Sequence, residues 1–223
     1  MGFNIAVDGP AGAGKSTIAK RAAQELSFIY VDTGAMYRAI ALYFLRHHVC
    51  VEHSEEVEKA CDQIQIEIRY ENQEQQVFLN GENVTAFLRT EEVGNMASVS
   101  SAKPAVRAKL LDLQREIAQK EDVLMDGRDI ASNVLPGAEL KIYLTASVET
   151  RAERRYRDLQ EKGVEKPLSE IKKEIEERDH RDMTRAIAPL KQAEDAVYLD
   201  TSHMNIDEVV EAIRKLYRER KKA

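Results

Sequence analysis

The sequence predicts a three-layer α/β fold, in which helices cover both faces of a parallel β-sheet. Short apolar runs alternate with helical periodicity along the 223 residues, an order typical of parallel strands joined by crossover helices. One internal stretch alternates with a period of two instead, which indicates a small antiparallel sheet. A highly charged, mostly helical stretch lies in the last third of the chain.

The first two strands and helices follow one another directly. An apolar run at residues 3–8 precedes a glycine-rich loop and a helical pattern at 15–26. A second run, at 28–32, precedes another helical pattern at 36–44. The order is therefore βαβα, which favours a parallel sheet.

The periodicity of the apolar residues changes in the middle of the chain. Isoleucine and tyrosine alternate with polar residues over 64–70, and a strand at 77–79 ends at Asn80-Gly81. This dipeptide is a strong hairpin-turn signal, so an antiparallel sheet is expected to interrupt the parallel one. Helical periodicity then covers residues 91–118.

The parallel sheet resumes in the second half of the chain. Strands are predicted at 123–126, 141–144 and 196–200, and an amphipathic helix begins near Asn205. Between the last two strands, the helical stretch 147–188 is broken only by a turn at 163–167. A turn between two charged helices is a candidate mobile lid.

Composition limits the classes of partner. The 33 Lys and Arg against 39 Asp and Glu give a net charge of −6, which disfavours long nucleic acids and anionic membranes because both attract broad basic surfaces. No apolar run approaches the roughly 18 residues that cross a bilayer. Cys50 and Cys61 have neither disulfide-framework nor zinc spacing. These features predict a cytoplasmic protein.

A phosphate-binding motif follows the first strand. The run Gly-Pro-Ala-Gly-Ala-Gly-Lys-Ser matches GxxxxGK[ST] and lies between a strand and a helix, as this motif requires. Backbone N–H groups of such a loop surround phosphate oxygens, and the lysine reaches the terminal phosphates. The predicted nucleotide site comprises Gly9, Pro10, Ala11, Gly12, Ala13, Gly14, Lys15, Ser16 and Thr17.

Two more motifs follow the next strands, at the sheet edge where a parallel sheet opens toward its ligand. Arg38 lies one helical turn past Gly34, although by itself it could be a surface arginine. Asp126-Gly127-Arg128-Asp129 could place a carboxylate near Mg²⁺ together with the hydroxyl of Ser16; an ordinary β-turn is the alternative.

Two arginine clusters lie in the charged helical stretch. Arg151, Arg154 and Arg155 share one helical face, as do Arg178, Arg181 and Arg185. Exposed stripes paired with neighbouring acids are the alternative. A cluster of arginines suits two phosphorylated substrates, because each terminal phosphate carries about −1.5 to −2 charges.

The phosphate loop serves several protein classes. A GTP-dependent switch needs a guanine-reading Asn-Lys-x-Asp motif, which is absent from the sequence. A small-molecule kinase, such as one acting on UMP, AMP, shikimate or gluconate, and a non-catalytic nucleotide-binding module remain open at this point.

The motifs together resemble the bacterial cytidylate kinases. The segments that carry the resemblance are GPAGAGKST at 9–17, DTGAMYR at 32–38, DGRD at 126–129 and ERDHRDMTRAIAPL at 177–190. Thr33 and Ser16-Thr17 stand where Ser and Gly-Thr also occur in that family, and both keep the hydroxyl.

The resemblance implies a P-loop nucleoside monophosphate kinase that transfers the γ-phosphoryl group of ATP to CMP or dCMP with Mg²⁺. It implies a single domain, 1–223, with a monophosphate-binding insertion at about 39–118, a lid at about 150–167 and a monomeric state. Implied CMP-binding residues are Thr33, Arg38, Ser98, Arg107, Arg128, Asp129, Arg178, Asp182 and Arg185. Expected catalytic residues are Lys15, Arg128, Arg154, Arg155 and Arg185, with Ser16 and Asp126 toward Mg²⁺.

Overall fold

The described residues form eight strands and eight α-helices. The computed structural model describes residues 2–72, 74–161 and 163–222. The strands are β1 (Asn4–Asp8), β2 (Ile29–Asp32), β3 (Ile66–Glu71), β4 (Glu74–Leu79), β5 (Glu82–Asn83), β6 (Val123–Gly127), β7 (Leu140–Thr145) and β8 (Val197–Asp200). The helices are α1 (Lys15–Leu26), α2 (Thr33–Arg46), α3 (Ser54–Gln63), α4 (Glu91–Ser100), α5 (Pro104–Lys120), α6 (Val148–Glu161), α7 (Leu168–Thr184) and α8 (Ile206–Lys222).

The predicted parallel sheet and the small antiparallel sheet are both confirmed. Five parallel strands lie in the order β2-β6-β1-β7-β8, so β1 is central. The second sheet joins β3, β4 and β5 in antiparallel pairs. Asn80 and Gly81 connect β4 to β5 with φ of 49° and 85°, which matches the hairpin turn expected from that dipeptide.

The central sheet separates two hydrophobic cores. Ile5 and Val7 pack with α1 and α8 on one face, whereas Ala6 packs with α2 and α5 on the other. This alternation follows from the two-residue period of a strand. The core on the Ala6 side continues into the antiparallel sheet through Val77 and Leu79, so this small sheet packs directly on the main fold.

Helices α6 and α7 have a separate, much smaller core. Its buried members are Ala152, Ile171 and Ile175. The turn predicted at 163–167 lies between these helices, and Lys162 falls outside the described residues. Few buried apolar contacts are typical of segments that open locally.

Two features of the middle region differ from the prediction. The helical stretch expected at 91–118 is two helices, because Pro104 lacks a backbone N–H and begins α5 as its first residue. Helix α3 was not predicted. The expected boundaries at 39, 118 and 150 lie inside α2, α5 and α6 respectively.

No helix in the described parts of the chain is both long and apolar enough to span a bilayer.

Candidate active site

The phosphate loop lies where the central strand meets α1. Gly14 adopts a left-handed conformation with φ of 81° directly before the helix, which a side chain would disfavour. Behind the loop, a Cβ added to Gly9 would lie 1.9 Å from the carbonyl oxygen of Leu144. Gly9 therefore permits close packing against β7.

A single cavity of about 890 Å³ gathers most of the predicted site. Its walls include every predicted site residue except Gly9 and Pro10, which are buried behind the loop. The predicted residues that line it are Ala11, Gly12, Ala13, Gly14, Lys15, Ser16, Thr17, Thr33, Arg38, Ser98, Arg107, Asp126, Arg128, Asp129, Arg154, Arg155, Arg178, Asp182 and Arg185.

The cavity carries an excess of positive charge. Eleven of its lining side chains are cationic and six are acidic, although the whole chain has a net charge of −6. The cations are Lys15, Arg21, Arg38, Arg89, Arg107, Arg128, Arg154, Arg155, Arg157, Arg178 and Arg185, and the acids are Asp32, Asp126, Asp129, Asp158, Asp182 and Asp207. Low-dielectric walls strengthen the resulting field, so the cavity is suited to polyanionic ligands.

Lys15 is a buried cation at the centre of this field. Its Nζ donates a hydrogen bond to the carbonyl oxygen of Pro10 at 2.8 Å. Burial, followed by the nearby guanidinium of Arg128, lowers the pKa of Lys15 well below its ordinary value. An anionic ligand beside this ammonium would stabilise its charged form.

Arg178 is a second buried cation whose charged form an anionic ligand would stabilise. Burial and the charge of Arg128 lower the pKa of Arg178 to about 10. In the described part of the chain, the buried Nε atoms of Arg178 and Arg155 have no hydrogen-bond partner. Buried polar atoms are normally paired, so these guanidinium groups are suited to receive ligand oxygens.

Asp182, buried on α7, forms an ion pair with Arg128. Its Oδ2 accepts a hydrogen bond from Arg128 Nε at 2.9 Å. Burial by itself raises the pKa of a carboxyl group, but Arg128 and Arg178 outweigh this effect and lower the pKa of Asp182. The carboxylate thus holds part of the cation cluster in place.

One end of the cavity carries a group of hydrogen-bonding side chains. Asp129 accepts a hydrogen bond from Arg107 and another from Asn133 Nδ2 at 3.1 Å. Arg185 Nη2 lies 3.6 Å from Asp129. Ser98 Oγ is buried there without a partner among the described residues. This end can offer both a carboxylate acceptor and guanidinium donors to a planar polar ring.

The Ser16 hydroxyl and the Asp126 carboxylate lie next to each other beside the phosphate loop. Ser16 Oγ donates to Asp126 Oδ2 at 3.1 Å, and the Tyr30 hydroxyl donates to Asp126 Oδ1 at 2.9 Å. Burial and the neighbouring charge of Asp32 raise the pKa of Asp126 to about 6. A buried carboxylate beside a hydroxyl fits Mg²⁺, which uses few protein oxygens together with phosphates and water. Within the described ranges, no cluster of three or more His, Cys, Asp or Glu could hold a metal.

Arginines that share one helical face have different surroundings in the structure. Arg154 reaches the loop and donates to the Thr201 carbonyl oxygen at 2.7 Å, whereas Arg151 is buried in an ion pair with Asp179 at 2.7 Å. Arg181 is exposed, and Arg185 follows the end of α7. Helical spacing therefore does not separate cavity arginines from the others.

Comparison with known sequences decides the family. The family profile described as Cytidylate kinase matches residues 5–219. The chain belongs to the cytidylate kinase family. A cytidylate kinase from Lactobacillus gasseri is 48% identical over 220 residues, which cover 99% of this chain and 96% of the relative. One from Streptococcus pneumoniae is 52% identical over 213 residues, 95% of this chain and 96% of the relative.

Membership of the cytidylate kinase family makes the chain a P-loop phosphotransferase. Among solved structures, an uncharacterized protein from Eubacterium ventriosum shares the fold with a TM-score of 0.50 at 13% identity, and the match covers 96% of each chain. The predicted fold class and enzyme class are therefore confirmed.

Several cavity residues of this cytidylate kinase family member were missed by sequence reasoning. Arg89 ion-pairs with Asp32 at 2.5 Å across the cavity edge. The start of α8 adds Met204 and Asn205 before the helix and Ile206 and Asp207 in its first turn. Tyr37 and Arg157 are the missed residues that the sequence could most readily have indicated, because Tyr37 adjoins Arg38 and Arg157 lies two positions after Arg155. Nothing in the local pattern indicates Arg89 or the segment 204–207.

Proposed function

We propose that this enzyme phosphorylates CMP and dCMP with ATP to form CDP or dCDP and ADP, in the cytoplasm and as a monomer. The observation that carries the proposal is the joining, in one cavity, of the phosphate loop and the group formed by Ser98, Arg107 and Asp129. One chain supplies all of these walls. Free Cys50 and Cys61 fit a reducing compartment.

The Asp129 end of the cavity complements cytosine. The exocyclic amine of cytosine donates hydrogen bonds and its carbonyl oxygen accepts them. Asp129 is an acceptor for the amine, and Arg107 is a donor for the carbonyl. A uracil carbonyl at the amine position would instead face the Asp129 carboxylate, so this arrangement supports selection of cytidine nucleotides.

The remaining acceptor residues divide by chemistry. Thr33, Arg38 and Arg128 would bind the CMP phosphate, while Arg178 and Asp182 would contact the sugar and Arg185 would face phosphate. Two anionic phosphates repel each other in water, and the surrounding guanidinium groups reduce that repulsion. The insertion at about 39–118 would enclose the acceptor.

The donor side is formed by the phosphate loop. The loop 9–17 would bind ATP, with Lys15 toward its terminal phosphates. Ser16 and Asp126 would hold Mg²⁺, which supplies charge neutralisation to the donor phosphates when bound. Tyr30 would orient Asp126 through the hydrogen bond that joins them.

Transfer would be direct and in line. A phosphate oxygen of CMP forms a bond to the γ-phosphorus as the bond to the β,γ-bridging oxygen breaks, and ADP leaves. The acceptor phosphate is already anionic near neutral pH, so a strong general base is not required. Lys15, Arg128, Arg154, Arg155 and Arg185 would stabilise the charge that develops in the transition state. Closure of the lid at about 150–167 would exclude water.

An ADP-release assay over a panel of acceptors tests the proposal. CMP and dCMP should support turnover, and UMP, AMP, shikimate and gluconate should support much less. Preference for one of the latter would assign a different small-molecule kinase. GTP binding without transfer would indicate a switch, and ATP binding without ADP release with any acceptor would indicate a non-catalytic module.

Lys15→Ala tests the donor side. Turnover should fall to background, because the variant lacks the ammonium that lies against the loop at the carbonyl oxygen of Pro10. Lys20→Ala is a matched control, since Lys20 lies on the same helix and pairs with Glu74 at the surface. Near-normal turnover of the Lys15 variant would contradict the mechanism.

Asp129→Ala tests the acceptor side. The KM for CMP should rise by a factor that corresponds to about 1–3 kcal/mol of binding free energy, because the cytosine amine loses its acceptor. The KM for ATP should change little. Equal effects on both substrates would indicate a metal-binding or structural role for Asp129.

A further inference from the structure

Asp8 is a buried carboxylate outside the cavity wall. It ends the central strand β1 and is 1% exposed. Its Oδ1 accepts a hydrogen bond from the backbone N–H of Ile130, and its Oδ2 accepts one from the N–H of Ala131, both at 2.8 Å. One side chain therefore binds two successive amides more than 120 positions away in the sequence.

Those two amides begin an unusual turn. Residues Ile130–Val134 form a wide, π-type helical turn directly after Asp129. The first N–H groups of a helical turn have no partner within it, and Asp8 satisfies two of them. Turns of this type are frequent at functional sites.

The other side of the same segment is also closely packed. A Cβ added to Gly127 would lie 2.6 Å from Ile130 Cδ1 and 2.8 Å from Thr33 Oγ1. Thr33 Oγ1 also donates to the carbonyl oxygen of Asp126 at 2.8 Å. The backbone at 126–131 is thus held between Thr33 and Asp8, which limits the directions its side chains can take.

Arg128 and Asp129 project from this segment into the cavity. The side chains that contact them there are Asp182 for Arg128, and Arg107, Asn133 and Arg185 for Asp129. Among the described residues, Asp8 makes no hydrogen bond to either side chain and is bonded instead to the backbone amides of the next two residues. We propose that Asp8 is a positioning residue for acceptor recognition, which directs Arg128 and Asp129 into the cavity through its hydrogen bonds to Ile130 and Ala131.

This inference rests on the proposed function, in which Asp129 reads cytosine and Arg128 binds the acceptor phosphate. An asparagine at position 8 has one acceptor oxygen, and its NH₂ group would face an N–H group. Asp8→Asn thus removes one of the two hydrogen bonds and places two donors together. The loop residues 9–17 that would bind ATP make neither of these hydrogen bonds.

The test compares Asp8→Asn with wild type in the ADP-release assay, using CMP and UMP as acceptors. The kcat/KM for CMP and the ratio of kcat/KM for CMP over UMP should each fall at least about tenfold. The KM for ATP should stay within about twofold, because neither hydrogen bond of Asp8 involves the phosphate loop. A structural defect alone would lower turnover without changing the acceptor ratio.

Asp122→Asn is the matched control. Asp122 precedes β6 at the end opposite the cavity, and its Oδ1 accepts the N–H of Phe3 at 2.6 Å. This variant also removes a carboxylate that binds a backbone amide, and it should leave the CMP-over-UMP ratio unchanged.

Two outcomes separate the inference from the function beneath it. A wild-type enzyme without preference for cytidine monophosphates would overturn the proposed function. A CMP-selective wild type whose ratio is unchanged in Asp8→Asn would overturn the positioning role alone. If the variant fails to fold, amide hydrogen exchange of wild type decides: protection of Ile130 and Ala131 supports the role, and rapid exchange of both overturns it.

Discussion

Replacement of Arg151 by methionine should strongly destabilise the protein. Arg151 Nη1 lies 2.7 Å from Asp179 Oδ2, and the two side chains are 5% and 11% exposed. Its guanidinium also donates to the carbonyl oxygens of Ala146 and Ala11, both at 2.9 Å. The residue therefore connects the end of β7, the phosphate loop and α7 at one buried point.

The expected loss follows from the charge left behind. Removing one partner of a buried ion pair costs about 3–5 kcal/mol, because the other charge stays desolvated without compensation. For a chain of this size, each kcal/mol corresponds to about 2–4 °C in Tm. Arg151→Met should therefore lower Tm by about 6–20 °C. Binding of ATP should also weaken, since the Ala11 carbonyl loses its donor.

A double-mutant cycle measures the pair itself. Urea unfolding followed by circular dichroism is recorded for wild type, Arg151→Met, Asp179→Leu and the double variant. The double variant should recover part of the stability lost in Arg151→Met, because no unpaired charge remains, with a coupling of about 2–3 kcal/mol. Additive effects of the two substitutions would refute the assignment.

The surface provides a control between the same two helices. Lys172 and Glu149 form an ion pair at 2.6 Å with side chains 41% and 65% exposed. Solvent screens such a pair, so Lys172→Ala should leave the unfolding midpoint within experimental error. An effect as large as that of Arg151→Met would show that burial does not determine the difference.

Three further predictions concern the site. Lys15→Met should abolish turnover yet raise the Tm of the nucleotide-free protein, because it removes a buried ammonium with a single hydrogen bond to Pro10; an unchanged or lower Tm would contradict this. Asp182→Ala should weaken discrimination between CMP and dCMP, measured as the ratio of their kcat/KM values. Burial raises the pKa of Asp8 from 3.8 to about 6, so the folded state retains its proton where the unfolded state has lost it. Wild-type stability should thus fall relative to Asp8→Asn by about 2 kcal/mol between pH 4 and 6, and a pH-independent difference in urea unfolding would refute the assignment.

The order of strands and helices was largely predictable, because it depends on short-range periodicity. Each apolar run that was assigned to a strand is one, and the dipeptide Asn80-Gly81 forms the expected hairpin turn. Helix α3 was missed, and the break before Pro104 was not recognised. Both lie between β2 and β6. The break is a local effect of Pro104, whereas α3 is a short helix whose apolar residues Val57, Ala60 and Cys61 are buried by packing on the core.

Candidate site residues were predictable where a motif names them in consecutive positions. The loop 9–17 and the segment 126–129 are examples, and both lie at the carboxyl ends of central strands. Arginines on helices were less predictable: spacing placed Arg151 and Arg154 on one face, yet only Arg154 lines the cavity. The difference arises because Asp179 neutralises Arg151, and that contact joins two separate helices.

The sequence by itself determined the phosphate loop, the α/β class and the resemblance to cytidylate kinases, because each depends on residues close together in the chain or on motifs in a set order. Only the tertiary structure decided which charges meet. It brought eleven cationic side chains to one cavity in an acidic protein, buried Arg151 against Asp179, and joined Asp8 to the amides of Ile130 and Ala131. The physical reason is that desolvation and charge pairing depend on distance in space, which local spacing along the chain does not specify.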